Sequence, residues 1–214
     1  VVGGGAAAVE VALALAFRWR ALKNRRVSIV TATTLLEAFP HRVRALALAA
    51  CRNDGVEVLE NSPVEQIEPT RLRLTSGQLI DTQLTVLATG YAPAALLAKT
   101  DLARATDGSA HVTASTNHPH IFAAGDCAHM SAIAVPKSGV YAVRQGPVLA
   151  ANLLARLGNQ PLQDYRHNPD SLTLLSLGKK RAIATRNGFA MGADWLWRWK
   201  DKIDRDWIRK YAPM

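Results

Sequence analysis

The sequence predicts an α/β fold: a doubly wound sheet with an antiparallel β-meander insert, plus a C-terminal segment. Three observations carry that expectation. Short β-branched runs alternate with Ala- and Leu-rich helical stretches between Val1 and Leu59. The hydrophobic period then changes to two between Val64 and Ile80. An apolar run over residues 84–89 follows and ends at a glycine. Strands alternating with helices build parallel sheets covered on both faces, and a period of two marks half-buried antiparallel strands.

Val1 and Val2 read as the end of a strand, ahead of the turn Gly3-Gly4-Gly5. A strand usually runs about five or six residues, so the chain is expected to begin inside one, with sequence preceding Val1. Residues 7–22 are expected as a helix, on propensity. Residues 27–31 follow as a β-branched strand. Pro40 opens a second helix, expected to reach about Asn53, with Val43, Leu46, Ala47 and Ala50 on one stripe. Asp54-Gly55 ends it, and residues 56–59 form the next parallel strand. Residues 64–67 alternate, Leu72 and Leu74 alternate, Ser76-Gly77 turns the chain, and Leu79-Ile80 answers on the far side. Residues 84–89 return as a fully apolar strand ending Ala88-Thr89-Gly90, which sets Gly90 at the carboxyl edge of the sheet. Open α/β sheets bind their ligands at that edge. Further on, residues 121–124 read as an apolar strand delivering Gly125-Asp126 to a sheet edge, and Pro136-Lys137-Ser138 reads as a helix start.

A chain of 214 residues, 49% hydrophobic, can bury a substantial core as one large or two small domains. No apolar run reaches the roughly 18 residues of a spanning helix. The nearest, residues 6–17, holds Glu10 and exits into Arg18, Arg20, Lys23, Arg25 and Arg26. The net charge of +9 suits nucleic acid, anionic lipid or a phosphate-bearing cofactor. No zinc-finger spacing or aromatic-basic pattern accompanies it, so no nucleic-acid partner is expected. Cys51 and Cys127 are too few for a disulfide framework and form no C-x-x-C pair. His111, His118 and His120 lack metal-ligand spacing with carboxylates or cysteines, and no metal site is expected.

A glycine turn between a strand and a helix is the arrangement that holds a dinucleotide's pyrophosphate. Gly3 permits the tight turn, Gly4 continues it, and Gly5 lets the backbone approach the phosphate. Ala8 is the third small residue, which allows close helix–strand packing. Amides left open at the helix N-terminus then face the negative charge. A Gly-rich helix start alone has the same look. The second nucleotide-type run, Ile121-Phe122-Ala123-Ala124-Gly125-Asp126, sharpens the reading.

Together these runs resemble the pyridine nucleotide-disulfide oxidoreductase superfamily, flavoproteins with two dinucleotide-binding domains. Gly3-Gly4-Gly5-Ala6-Ala7-Ala8-Val9-Glu10 is similar to the start of its NAD(P) domain. Ala88-Thr89-Gly90 is similar to its linker back to the FAD domain, and residues 121–126 to its second FAD motif. Pro136-Lys137-Ser138-Gly139, Gln145-Gly146-Pro147 and Trp197-Arg198-Trp199-Lys200-Asp201 resemble the type II NADH dehydrogenase branch, most of all members fused to selenide, water dikinase. The resemblance implies an FAD/NAD(P)-binding Rossmann-like fold with FAD and NAD(P)H as cofactors. It implies an FAD-dependent NAD(P)H oxidoreductase that passes hydride from NAD(P)H to FAD and electrons on to a quinone or other acceptor. The implied domains are 1–92, NAD(P)-binding; 93–158, the second part of the FAD-binding domain; and 159–214, a C-terminal interface or membrane-associated segment. A first FAD segment would lie outside this chain.

The resemblance assigns Asp126, after Gly125, to the ribityl hydroxyls of FAD, and Gly90 to the neighbourhood of the nicotinamide dinucleotide. The helix start at Lys137 and Ser138 would lie against the flavin's pyrimidine edge. Glu10 would be the catalytic carboxylate, tuning proton movement in the nicotinamide–flavin region. Plainer roles exist for each. Glu10 in a first helical turn gains about 0.3–1 kcal/mol from the helix dipole; Asp126 could cap a local turn or the next helix; Lys137 and Ser138 could be an ordinary helix start. One departure matters. NAD sites place an acid on the ribose about 20 residues past the turn, but here the second strand ends Val30-Thr31-Ala32 without a carboxylate or a following arginine. NADH against NADPH therefore stays open at Thr31. So does a rival function, a non-catalytic dinucleotide-binding or interaction module. A redox partner in selenium metabolism rests on the fused relatives alone.

Four of the five tryptophans, Trp195, Trp197, Trp199 and Trp207, lie near the C-terminus. At helical spacing Trp195, Trp199, Ile203, Trp207 and Tyr211 share a face, with Arg198, Lys202, Arg205 and Arg209 opposite. Such a helix either docks on its own protein or a second subunit, making a homodimer, or lies in a membrane interface. The expected location is cytoplasmic, with the membrane alternative placing it peripherally on the cytoplasmic face.

Overall fold

A computed structural model of the chain describes residues 1–112, 115–168 and 170–212. It divides into two compact units: Val1–Gly90 together with residues 172–212, and Tyr91–Ser171. The first helix, α1 (Ala6–Arg18), starts on the glycine turn and ends short of Leu22. The chain must reverse there to enter β1 (Val27–Val30). Trp19 N–H donates to the Leu15 carbonyl at 2.9 Å, Leu22 N–H donates to the Trp19 carbonyl at 2.8 Å, and Asn24 takes φ 62°. Asparagine visits that left-handed region more easily than most residues.

Helix α2 (His41–Asn53) leads to β2 (Val56–Leu59), which pairs in parallel with β1, Val27 opposite Val56. Val2 bridges Val30 on one side and Leu87 on the other, again in parallel. The strand expected over 84–89 is reduced to that one bridge. Its neighbour offers only Val1 and Val2 before Gly3 leaves the sheet, and Leu84 and Leu87 remain exposed. The meander forms as read: β3 (Val64–Glu68), β4 (Arg71–Leu74) and β5 (Leu79–Asp81) pair antiparallel in that order. Leu72 and Leu74 bury against Val2 and Val30. The main core joins Ala8, Val9, Ala12 and Leu13 of α1 to Val43, Ala47 and Cys51 of α2 over Ile29 and Val56. Each large apolar side chain buried there stabilises the unit by about 1.5–3 kcal/mol.

In the second unit, β6 (Ala110–Val112) and β7 (Ala128–Met130) run parallel, followed by α3 (Gly139–Leu157). The strand expected over 121–124 does not form. Ile121 N–H donates to the His118 carbonyl at 3.0 Å, and its carbonyl accepts from Thr116 N–H and, at 2.9 Å, from the Thr116 hydroxyl. A backbone consumed by a turn has nothing left for a ladder, and the strand falls after Asp126 instead. Asn152 on α3 exchanges two hydrogen bonds with the backbone of Gln163, tying the following segment along the helix.

The chain returns to the first unit as β8 (Thr173–Ser176), β9 (Ala182–Arg186) and β10 (Phe189–Ala193), an antiparallel sheet with β9 central. One face adds Leu175, Ile183 and Ala190 to the main core. Ala182 and Ala184 on the other receive Leu196 and Trp197 of α4 (Asp194–Tyr211). Asp54, at the end of α2, holds the β8–β9 turn through Lys179 at 2.5 Å and Arg181 at 2.7 Å. Helix α4 therefore docks by Leu196 and Trp197, not by the stripe read from the sequence. Trp195, Trp199, Ile203, Trp207 and Tyr211 are all exposed. Lys200–Asp204, Lys202–Asp206 and Arg205–Asp201 pairs at 2.6–2.8 Å brace the projecting turns, and as exposed i,i+4 pairs they add little. No helix among the described residues is long and apolar enough to cross a membrane.

Candidate functional site

The glycine turn opens one side of a cleft of about 430 Å³ in the first unit. Gly3 has φ 134°, and a side chain there would run into the Ala88 carbonyl. A side chain at Gly4 would strike the Thr31 hydroxyl. Around Gly5 the opposite holds: an added Cβ meets nothing within 4 Å, so the cleft comes straight onto the backbone. Gly5 is also the N-cap of α1, which has no side-chain cap and no acidic residue in its first turn. The leading amides of α1 and the positive end of its dipole are thus free for an anion. Ala8, fully buried, sits in the core and lets the helix close on the strands. This turn fits a dinucleotide pyrophosphate on steric and electrostatic grounds.

The far wall is the segment that follows β1. Thr31 is buried, its N–H donating to the Leu59 carbonyl at 2.9 Å and its carbonyl accepting from Ser62 N–H at 2.8 Å. Leu36 N–H donates to the Gly4 carbonyl at 2.7 Å, which ties this wall to the glycine turn. Leu36 does so at φ 55° while 1% exposed; a left-handed leucine costs about 1–2 kcal/mol. Glu60, just past β2, accepts from Leu35 N–H at 2.5 Å and from Arg44 at 2.6 Å. Burial pushes the Glu60 carboxyl up, but the Leu35 N–H and the Arg44 guanidinium outweigh it and hold it below the usual carboxylate range. The cleft also admits Glu37, which the sequence reading passed over. Glu37 is exposed, and among the described residues it makes no hydrogen bond or ion pair. Sequence offered one signal for it: the strand end at Thr31 lacks an acid, and Glu37 is the first carboxylate afterwards.

Glu10 lies past the first turn of α1, because the helix starts at Ala6; the helix-dipole account of it therefore falls. Its carboxylate accepts a 2.8 Å hydrogen bond from the Ser176 N–H, linking α1 to β8. Gly90 closes the first unit at φ 113° with open space around it.

In the second unit Gly125 N–H donates to the buried Gln145 side chain of α3 at 2.5 Å, which fixes Gly125 and Asp126 beside that helix. Asp126 is exposed, and among the described residues it makes no hydrogen bond or ion pair. It does not cap α3. Ser138 is the N-cap there, with no side-chain cap bond and no acid in the first turn. An uncommitted carboxylate and free helix amides fit a ligand that presents hydroxyls and acceptor oxygens, as FAD does. Lys137 is turned to protein groups: it donates to Ser109 at 3.2 Å and to the Ala128 carbonyl, with Asp107 at 3.9 Å. The Ser109 hydroxyl and N–H, and more weakly Lys137, hold the Asp107 carboxyl below its ordinary value.

Residues 1–146 match the family described as pyridine nucleotide-disulphide oxidoreductase. The chain is 30% identical over 207 residues to ferroptosis suppressor protein 1 of Taeniopygia guttata, covering 90% of this chain and 54% of that protein. It is 28% identical over 203 residues to type II NADH:quinone oxidoreductase of Haemophilus influenzae, covering 86% and 46%. The chain thus spans about half the length of these relatives. Among solved structures, sulfide:quinone oxidoreductase from Aquifex aeolicus aligns with a TM-score of 0.74 at 16% identity, covering 98% of this chain and 57% of that one. Water-forming NADH oxidase from Lactobacillus brevis, bound to NADH, aligns with a TM-score of 0.66 at 22% identity, covering 86% and 41%. At such identities the two structures speak for a shared fold.

Proposed function

The chain belongs to the pyridine nucleotide-disulphide oxidoreductase family, and from that premise we propose that it serves an FAD-dependent NAD(P)H oxidoreductase that hands electrons to a quinone or similar acceptor. One observation carries the reading: the open approach to the Gly5 backbone, at the uncapped N-terminus of α1, in a turn that tolerates side chains at neither Gly3 nor Gly4. The flavin, when bound, accepts hydride from the nicotinamide and releases electrons to the acceptor. The chain's own residues bind and orient. Amides at Gly5 and along the start of α1 take the NAD(P)H pyrophosphate, with Thr31 behind the turn. Asp126 accepts hydrogen bonds from FAD hydroxyls, held in place by Gln145 on Gly125, and the amides after Ser138 face electron-rich oxygens. Glu10 keeps a carboxylate on α1 for proton management, anchored by Ser176.

The test is the visible absorbance of the purified protein, followed by NADH addition under argon. A flavin band that bleaches with NADH supports the proposal. NADH binding without bleaching favours the rival, a non-catalytic dinucleotide-binding module. A protein that binds neither flavin nor nucleotide overturns both. For α4 we propose peripheral contact with the cytoplasmic face of a membrane through Trp199, Ile203, Trp207 and Tyr211, which stand exposed on one stripe. Co-sedimentation with anionic vesicles, lost in Trp207→Ser, checks it.

A further inference from the structure

Glu37 stands out because nothing in the proposed chemistry uses it. Among the described residues lining the cleft it is the single charged one; no lysine, arginine or histidine faces the space. It is placed there by a rigid wall. Its neighbour Leu36 is buried and left-handed and bonds the Gly4 carbonyl at 2.7 Å, while Leu35 is held by the Glu60–Arg44 pair. Glu37 is thereby fixed one residue from a backbone contact with the glycine turn, with its carboxylate unpaired among the described residues. An unpaired carboxylate beside a pyrophosphate-binding turn accepts two hydrogen bonds from a vicinal diol, and it repels a second phosphate.

We infer that Glu37 is the ribose-recognising acid of this cleft, displaced along the chain from the strand end at Thr31, and that it selects NADH over NADPH. The inference rests on the dinucleotide reading above. The adenosine ribose of NADH offers both hydroxyls to Glu37; NADPH carries a phosphate on one of them and brings it against the carboxylate with no cation in the wall to offset it. Thr31, Thr33 and Thr34 supply hydroxyls on the same wall but no charge.

The experiment is titration of the purified protein with NADH and with NADPH, followed by nicotinamide fluorescence, for the parent, Glu37→Gln and Glu37→Arg. Glu37 is exposed and unpartnered among the described residues, so both variants are expected to melt with the parent. The parent is expected to bind NADH at least about tenfold tighter than NADPH, which corresponds to about 1.4 kcal/mol. Glu37→Gln should bring the two affinities to within about threefold, and Glu37→Arg should reverse their order. Equal affinities in the parent, or a ratio that Glu37→Arg leaves unmoved, overturn the inference while leaving the dinucleotide site in place. Failure of the parent to bind either nucleotide overturns the site itself, and the inference with it.

Discussion

Substituting Gly3 and Gly5 separately distinguishes a turn built for a ligand from one that is merely tight. At Gly3 an alanine must adopt φ 134° and drive its methyl group into the Ala88 carbonyl. That region is nearly closed to side chains and costs about 1–3 kcal/mol. Relief requires the strand ends to part, which loses Gly3 N–H to the Val30 carbonyl and Ala88 N–H to the Val2 carbonyl, at 2.9 and 2.7 Å. At about 0.5–1.5 kcal/mol each, these bring the total to roughly 2–6 kcal/mol. For a chain of this size the melting temperature should fall on the order of 10 °C. At Gly5 the balance differs. The residue has φ −85° and ψ −176°, which alanine adopts freely, and its Cβ meets nothing. Alanine is a poorer N-cap by a fraction of a kcal/mol, while the restricted unfolded chain returns about 0.4–1 kcal/mol. Gly5→Ala should therefore melt within about 2 °C of the parent. Its methyl group occupies the space a pyrophosphate needs, so NADH affinity should drop about tenfold or more. Thermal melts and fluorescence titrations of both variants read the two effects separately. Parent-like NADH binding by Gly5→Ala refutes the phosphate-approach argument, and parent-like melting of Gly3→Ala refutes the steric one.

Asp126→Ala, at an exposed carboxylate with no partner among the described residues, should leave the melting temperature of the flavin-free chain unchanged and lower bound-flavin absorbance; full flavin content would remove Asp126 from the site. Glu10→Gln keeps an acceptor for Ser176 N–H and should melt with the parent, whereas Glu10→Ala should lose about 1 kcal/mol. NADH oxidation slowed in Glu10→Gln at constant stability would mark the charge as the working feature, and unchanged oxidation would leave Glu10 a structural tie. The Glu60 carboxyl lies below its ordinary value in the folded chain. Its contribution to stability is therefore present above the unfolded value of about 4.3 and lost as pH falls through the folded one. Melting of the parent should decline more steeply below about pH 4 than melting of Glu60→Gln, and parallel acid limbs would contradict that sign.

What was legible in the sequence was local. The glycine turn, α2 with its Val43 and Ala47 stripe, and the meander around Leu72 and Leu74 each follow from spacing alone, and each formed. The sheet of β8, β9 and β10 was not legible. Ala182-Ile183-Ala184-Thr185 and Phe189-Ala190-Met191-Gly192 show no plain polar alternation, because core residues on one face meet α1 and α2 while small ones on the other meet α4. At the head of the strand expected over 121–124, the Ile121 N–H and carbonyl are taken by a turn with His118 and Thr116, which no periodicity reveals. The aromatic stripe of α4 was correctly seen, but the face that docks was not, since Leu196 and Trp197 sit off the stripe.

The cleft shows why a site can be half visible. Its glycine side is a contiguous run, Gly3-Gly4-Gly5 ahead of α1, and reads from order alone. Its other wall presents Leu36 and Glu37 to the cleft, is backed by the Glu60–Arg44 pair on Leu35, and joins the glycine turn through a backbone hydrogen bond, Leu36 N–H to the Gly4 carbonyl. A leucine in the left-handed region leaves no compositional trace, because the usual marker of such a position is glycine or asparagine. The strain persists because Glu60 and Arg44 clamp Leu35 next door, so the conformation is over-determined by contacts from α2 and the end of β2. That arrangement spends stability on holding one short segment rigid against the glycine turn. A wall fixed that firmly, carrying one unpaired charge, has the properties of a selector, and not those of a loop that merely closes the sheet.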